Sequence, residues 1–327
     1  MSLFFATLNQ MAFLFLLIVI GYILARLRLV PENGAGVLSK LENNVFIPAL
    51  VMGTFMTQFT LDRIGTAWQY LVGGIVTIGI TAPLAVLISR FCTKDRYLRK
   101  ICAYGLAFSN FGFMGNAVVA ALFPDIFMEY LIFVLPFWAM IYTWGVPALL
   151  MPSEQEGAVD GAAPTKKPWL LRKLKPFLNP MFIGMLIGMV IGLIPFPTRT
   201  FGFFSTAITV LGDCMSPVAM LLTGMTIARI DLKATFRTAS IYVISLIRLL
   251  AIPLAVIPLL MLLPLPSGLS MCIICALAMP LGLSTIVIPS GYGMDTTAAS
   301  GMALISHLLS CITIPLIFLL FQTVVGM

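Results

Sequence analysis

The chain has 327 residues, 60% of them hydrophobic and only 9% charged, with a mean hydropathy of +1.07. Charged residues in a soluble domain run near about a quarter, so a soluble globular fold is excluded. The formal net charge of +7 does not point to nucleic acid, because it is explained by where the basic residues fall. The composition is that of an all-α polytopic membrane protein.

Ten spans are expected, at 6–27, 36–57, 67–91, 100–123, 129–150, 177–195, 203–227, 238–263, 269–291 and 298–323. The first is about long enough to cross a bilayer, and no small-residue cleavage site follows it, so it reads as a membrane helix rather than a signal peptide. Span two carries Asn44-x-x-x-Pro48 and span seven Asp213-x-x-x-Pro217, each a polar group one turn before a proline. Span four is interrupted by Ser109-Asn110-Phe111-Gly112-Phe113-Met114-Gly115-Asn116, with an apolar half-helix on either side. Glycine is a poor helix former, and amides at membrane depth need partners or water. The stretch therefore reads as an unwound segment lining a cavity; a continuous helix packed through small residues is the alternative. Span nine holds the matching interruption, Ala278-Met279-Pro280-Leu281-Gly282-Leu283-Ser284-Thr285. Pro280 removes a backbone donor there.

Sixteen of the 19 Lys and Arg cluster in, or within a few residues of, the loops after spans one, three, five and seven. The positive-inside rule makes these loops cytoplasmic and places both termini outside. The longest of them, 152–176, has the composition of a flexible linker. It divides the chain into 1–151 and 177–327, with five spans each. Because five is odd, two such repeats would be inverted. An offset of 170 places Gly112 on Gly282 and Asp125 on Asp295.

At Phe46-Ile47-Pro48-Ala49-Leu50, at the span-four interruption, at Ala278-Met279-Pro280 and along Tyr292-Gly293-Met294-Asp295, the chain resembles the auxin efflux carrier family, in a bacterial form. Ala298-Ala299-Ser300, Leu309-Ser310 and Ile314-Pro315 continue the resemblance over nearly the full length. The resemblance implies two inverted five-helix repeats with broken helices four and nine crossing at mid-membrane. It implies a scaffold of helices one, two, six and seven, and a transport domain of helices three to five and eight to ten moving as an elevator. The implied substrate is a small organic anion: auxin in plants, dicarboxylates such as malonate or malate in bacteria. Asn110 and Pro280 match family positions that help hold the carboxylate. The chain departs from the family at Ala117, where a proline is common, and at Leu283 and Ser284, near a common asparagine. The resemblance further implies the plasma (inner) membrane as location and a homodimer through the scaffold.

Two helix N-termini meeting at mid-membrane favour an anion without a formal cation. The substrate-binding candidates are Asn110, Gly112, Gly115, Asn116, Met279, Pro280, Gly282, Ser284, Thr285 and Arg248. Asn110 and Asn116 would donate to substrate or water, or simply cap freed backbone. Asp213 and Arg248 are charges inside spans, each roughly 15 Å deep at 1.5 Å per residue. One reading pairs them; another makes Arg248 a carboxylate ligand and Asp213, with its counterpart Asn44, a proton or sodium site. His307, the lone histidine, reads as hydrogen-bonded to a neighbour. The six cysteines read as small apolar residues, and Cys272-x-x-Cys275 lacks partners for zinc. No cofactor, metal or nucleic acid is expected, and no catalytic constellation is present. The expected function is transport of an organic anion. A cation-coupled carrier of the same fold and a non-transporting receptor are the alternatives.

Overall fold

The computed structural model describes residues 3–151, 180–194, 202–228, 239–291 and 294–325. The 152–176 linker lies outside the described residues. It is 88% helix. In lipid every backbone polar group must be satisfied internally, and helices do this within a single segment.

In chain order, α1 is Leu3–Arg26. Helix α2, residues 34–58, joins Gly34–Leu41 to Ile47–Gln58 through a widened π turn at Glu42–Phe46. Next come α3 (Leu61–Cys92), α4 (Arg96–Ala107), α5 (Phe111–Leu122) and α6 (Pro124–Leu150). In the second half, α7 is Pro180–Leu193, and α8 is Gly202–Ile227 with an irregular turn at Cys214. Helix α9, residues 239–262, also contains a π turn, at Ile247–Ala251. Helices α10 (Ser267–Leu277), α11 (Ser284–Gly291) and α12 (Thr297–Val325) complete the chain.

Six of these helices are long and apolar enough to cross a membrane: α1, α3, α6, α8, α9 and α12. The sequence led us to expect ten spans, and the shortfall has local causes. The expected spans four and nine are each cut in two, into α4/α5 and α10/α11. Helix α2 carries Lys40, Glu42, Asn43 and Asn44 in its first half, and span six is described only over 180–194.

Glycine sets the tightest helix contacts. In α1 and α8, Gly21 lies against the Leu221 carbonyl and Gly224 against the Ile18 carbonyl. Helix α7 meets α2 through Gly184 and Gly188, where an added methyl would sit 2.7 Å from the Pro48 oxygen and 2.5 Å from the Met52 oxygen. Such small-x-x-x-small surfaces let backbones approach where apolar side chains gain nothing by leaving lipid. The outer face stays apolar: Phe91, Trp68, Ile80 and Leu262 are all exposed.

Two helix starts, those of α4 and α12, are capped by acidic residues. Asp95 accepts the Leu98 N–H at 2.7 Å. Asp295 accepts both the N–H (2.9 Å) and the hydroxyl (2.6 Å) of Thr297, which holds its carboxyl below the usual range. Tyr97 donates to the Asp295 carbonyl at 2.8 Å, tying the start of α4 to that of α12; burial pushes its hydroxyl up to about 12. Arg63 joins α3 to α6 through an ion pair with Glu129 (3.2 Å).

Candidate substrate site

Helix α4 stops at Ala107, where Phe108 turns extended, and α10 stops at Leu277, shortly before Pro280; the two interruptions meet. Ser109 and Leu281 form an isolated antiparallel bridge. The Asn110 N–H donates to the Pro280 carbonyl at 2.7 Å. Pro280 and Asn110 are 170 positions apart, the offset that superposes the halves of the sequence. The Ser109 hydroxyl donates to the Ala276 carbonyl at 2.7 Å, and the Leu281 N–H donates to Ser306 Oγ at 3.2 Å. The crossed segments thus hold each other and lean on α12.

Each broken helix has a negative and a positive end at the crossover. Arg248, fully buried in the π turn of α9, serves the negative ends. Its guanidinium donates to Leu106 at 2.9 Å (Nη1), Ala276 at 3.1 Å (Nη2) and Met279 at 3.1 Å (Nε). Leu106 and Ala276 lie in the last turns of α4 and α10, where carbonyls lack intrahelical donors. A cation there also opposes the helix dipoles. The positive ends, the first turns of α5 and α11, start from the same crossing. Asn110 closes the first turn of α5, its carbonyl accepting from Met114 (3.1 Å) and Gly115 (3.0 Å). Gly282 does the same for α11, accepting from the Thr285 hydroxyl at 2.9 Å.

Of the two readings of Asp213 and Arg248, the one that pairs them does not hold. Arg248 spends its donors on three carbonyls, and Asp213 is exposed at the irregular turn of α8. Asn44 is exposed too and donates to Lys40 of its own helix at 2.7 Å. The other candidates gather at the crossing. Asn110, Asn116, Met279, Pro280, Gly282 and Thr285 are buried, and Ser284 is half-buried. The glycines of span four are packed tight: an added methyl at Gly112 would meet the Trp138 ring, and one at Gly115 the Tyr130 hydroxyl. Tyr130 itself donates to the Phe111 carbonyl at 3.2 Å. Asn116 Oδ1 is buried without a hydrogen-bond partner.

The lone histidine belongs to this group. The Asn110 side-chain nitrogen lies 2.9 Å from His307 Nε2, and His307 Nδ1 lies 2.7 Å from the Ala303 carbonyl. His307 also reaches a cavity of about 230 Å³ between α1 and α12, lined by Phe15, Ile18, Val19, Tyr22, Ile227, Leu304 and Leu308.

Residues 6–318 match the profile of the family described as membrane transport protein. The chain belongs to this auxin efflux carrier/membrane transport family. A comparison with curated proteins gave no match. As a member of a transport family, the protein is a multi-pass membrane protein, and its setting is the lipid bilayer.

Sequence reasoning placed only two charges clearly inside spans, and the structure adds others. Glu42 is fully buried in the π turn of α2, with neither oxygen hydrogen-bonded. Glu129 is buried at the start of α6. The polar face of α12 was also missed as part of the crossing. Ser300, His307 and Ser310 recur at i, i+7 and i+10 and are all buried, a one-faced helical pattern that the sequence displays.

Proposed function

We propose that this membrane transport family member is a secondary carrier or facilitator of a small organic anion, a mono- or dicarboxylate, bound at the crossover. One observation carries the reading: α5 and α11 both begin at the crossing, while Arg248 occupies the carbonyl ends of α4 and α10. The negative ends are neutralised from behind, and the positive ends are left for a ligand. Helix N-termini bind carboxylates through N–H groups and dipole. Asn110, Asn116, Ser284 and Thr285 supply the side-chain groups around it. Arg248 is the electrostatic backing of this site rather than a direct ligand.

Movement follows alternating access between two inverted repeats, 1–151 and 177–327, joined by the 152–176 linker. The scaffold is α1, α2, α7 and α8, and the moving body is α3–α6 with α9–α12. Three things support this. Packing inside the scaffold is backbone-to-backbone at glycines, whereas the α1/α12 boundary leaves a cavity. The Asn110–Pro280 bond joins positions equivalent under the 170-residue offset. The same offset pairs Pro83 in α3 with Pro253 in α9. Both termini lie outside, the basic loops lie in the cytoplasm, and the scaffold offers the homodimer face.

Uptake of radiolabelled mono- and dicarboxylates into proteoliposomes, with and without pH and sodium gradients, tests the proposal. Accumulation of at least one carboxylate, inhibited by its unlabelled form, is expected. Movement of alkali cations with no carboxylate uptake would replace it with a cation carrier.

A further inference from the structure

The hydrogen bonds of His307 fix more than its position. The Ala303 carbonyl can only accept, so His307 Nδ1 carries a proton and donates to it. In the neutral ring Nε2 is then an acceptor, and Asn110 must present its NH2 group to it. That choice turns the Asn110 amide oxygen away from the ring. An acceptor oxygen on that side repels a carboxylate.

We propose that His307 is a proton switch for the crossover site: protonation at Nε2 turns over the Asn110 amide, so that proton and anion bind together. A proton arriving at Nε2 makes it a donor, and two donors cannot face each other at 2.9 Å. The amide rotates about its Cβ–Cγ bond until Oδ1 accepts from Nε2–H. Its NH2 group then points away from His307 and can donate to a carboxylate. One proton is consumed, no covalent bond changes, and the site exchanges an acceptor for a donor while gaining a positive charge.

The surroundings require that the two charges arrive together. His307 and Asn110 are buried, and the cavity that His307 reaches is walled by apolar groups such as Phe15, Ile18 and Leu304. An isolated ion there is costly, whereas an imidazolium facing a carboxylate is a neutral pair. The helices packed on α12 bring Tyr22 and Arg26 from α1, Tyr104 from α4, Asp213 and Cys214 from α8, and Arg248 and Tyr242 from α9; Cys311 is on α12 itself. None bonds to the His307 ring, whose two nitrogens are taken by Asn110 and Ala303. Arg248 is already engaged with three carbonyls. The one carboxylate on these helices, Asp213, is exposed at the irregular turn of α8 and does not stand in for the substrate.

This inference rests on the anion site proposed above, and its test separates the two. The purified full-length chain is titrated with radiolabelled malonate, malate and indole-3-acetate between about pH 8 and about pH 6, which brackets the ordinary histidine range. Affinity for the bound probe is expected to rise by up to about tenfold per pH unit as pH falls, as linkage to one proton requires. Calorimetry in buffers of different ionisation enthalpy should find about one proton taken up per anion, a measurement that needs no variant. His307→Gln, which offers Asn110 an uncharged partner, should bind at the weak high-pH level throughout. Comparison with this variant removes the carboxylates' own titration. Binding by the wild type with no proton uptake overturns the switch and leaves the anion site standing. Binding of none of the three probes at any pH overturns the anion site and the switch together.

Discussion

Arg248 is the residue whose removal should most disturb the crossover without touching the anion itself. Arg248→Gln deletes a guanidinium that makes three buried hydrogen bonds, to Leu106, Ala276 and Met279. A hydrogen bond to a charged group contributes about 1.5–3 kcal/mol, which gives a gross loss of about 4.5–9 kcal/mol for three. Against this stands the relief of desolvating a fully buried cation, which costs several kcal/mol. Gln can also restore one of the bonds. The net expectation is a destabilisation of about 2–4 kcal/mol, expressed as a lower melting temperature in detergent. Anion binding should weaken as well, because the carbonyl ends of α4 and α10 would no longer be neutralised. Asp213→Asn, at an exposed position, should change stability by less than about 0.5 kcal/mol. The double variant should be additive, since the two groups do not meet. A coupling above about 1 kcal/mol between them would refute the arrangement, as would an Arg248→Gln protein that melts like the wild type.

Three further outcomes follow from single contacts. Gly115→Ala drives a methyl into the Tyr130 hydroxyl and should destabilise by about 1–3 kcal/mol; adding Tyr130→Phe removes the clashing oxygen and should restore part of the loss in the same melt. Glu42→Gln should be neutral or stabilising, because the carboxyl is fully buried with neither oxygen bonded; a loss of more than about 2 kcal/mol would mean that a partner engages it in solution. Asp295→Ala removes the α12 cap. Because the folded carboxyl is held below its ordinary range, its contribution is present above the unfolded value of about 3.9 and is lost as pH falls through the folded one. The gap in melting temperature between wild type and variant should therefore be full near neutral pH and narrow in acid.

Much of the architecture was legible because membrane helices announce themselves by apolar runs, and interruptions by glycine, asparagine and proline inside such runs. The breaks after Ala107 and Leu277 fall where Asn110, Gly112, Pro280 and Gly282 pointed. The partners were not legible. Nothing in the sequence says that Arg248, about 140 residues beyond Leu106, folds back onto its carbonyl. A charge at membrane depth invites an opposite charge, and Asp213 was the obvious one. The structure instead answers with carbonyls, which every residue carries and no sequence pattern marks. Glu42 was hidden for a related reason: Lys40, Asn43 and Asn44 around it make its turn look like the polar rim of a helix. The stripe of Ser300, His307 and Ser310 could have been read from its spacing, but not its meeting with Asn110.

Asn110→Ala tests the central claim most directly. The variant should still insert and fold, with some loss of melting temperature because His307 Nε2 is left without its partner. Loss of one hydrogen bond to a charged carboxylate in a water-poor site, about 1.5–3 kcal/mol, should weaken anion binding by roughly ten- to a hundredfold. Equilibrium binding of the carboxylate that the wild type transports, measured below the melting temperature of both proteins, decides the matter. A tenfold or greater loss of affinity is the result this account predicts. Wild-type affinity in an Asn110→Ala protein that only melts earlier would contradict it and move the anion site away from the crossover.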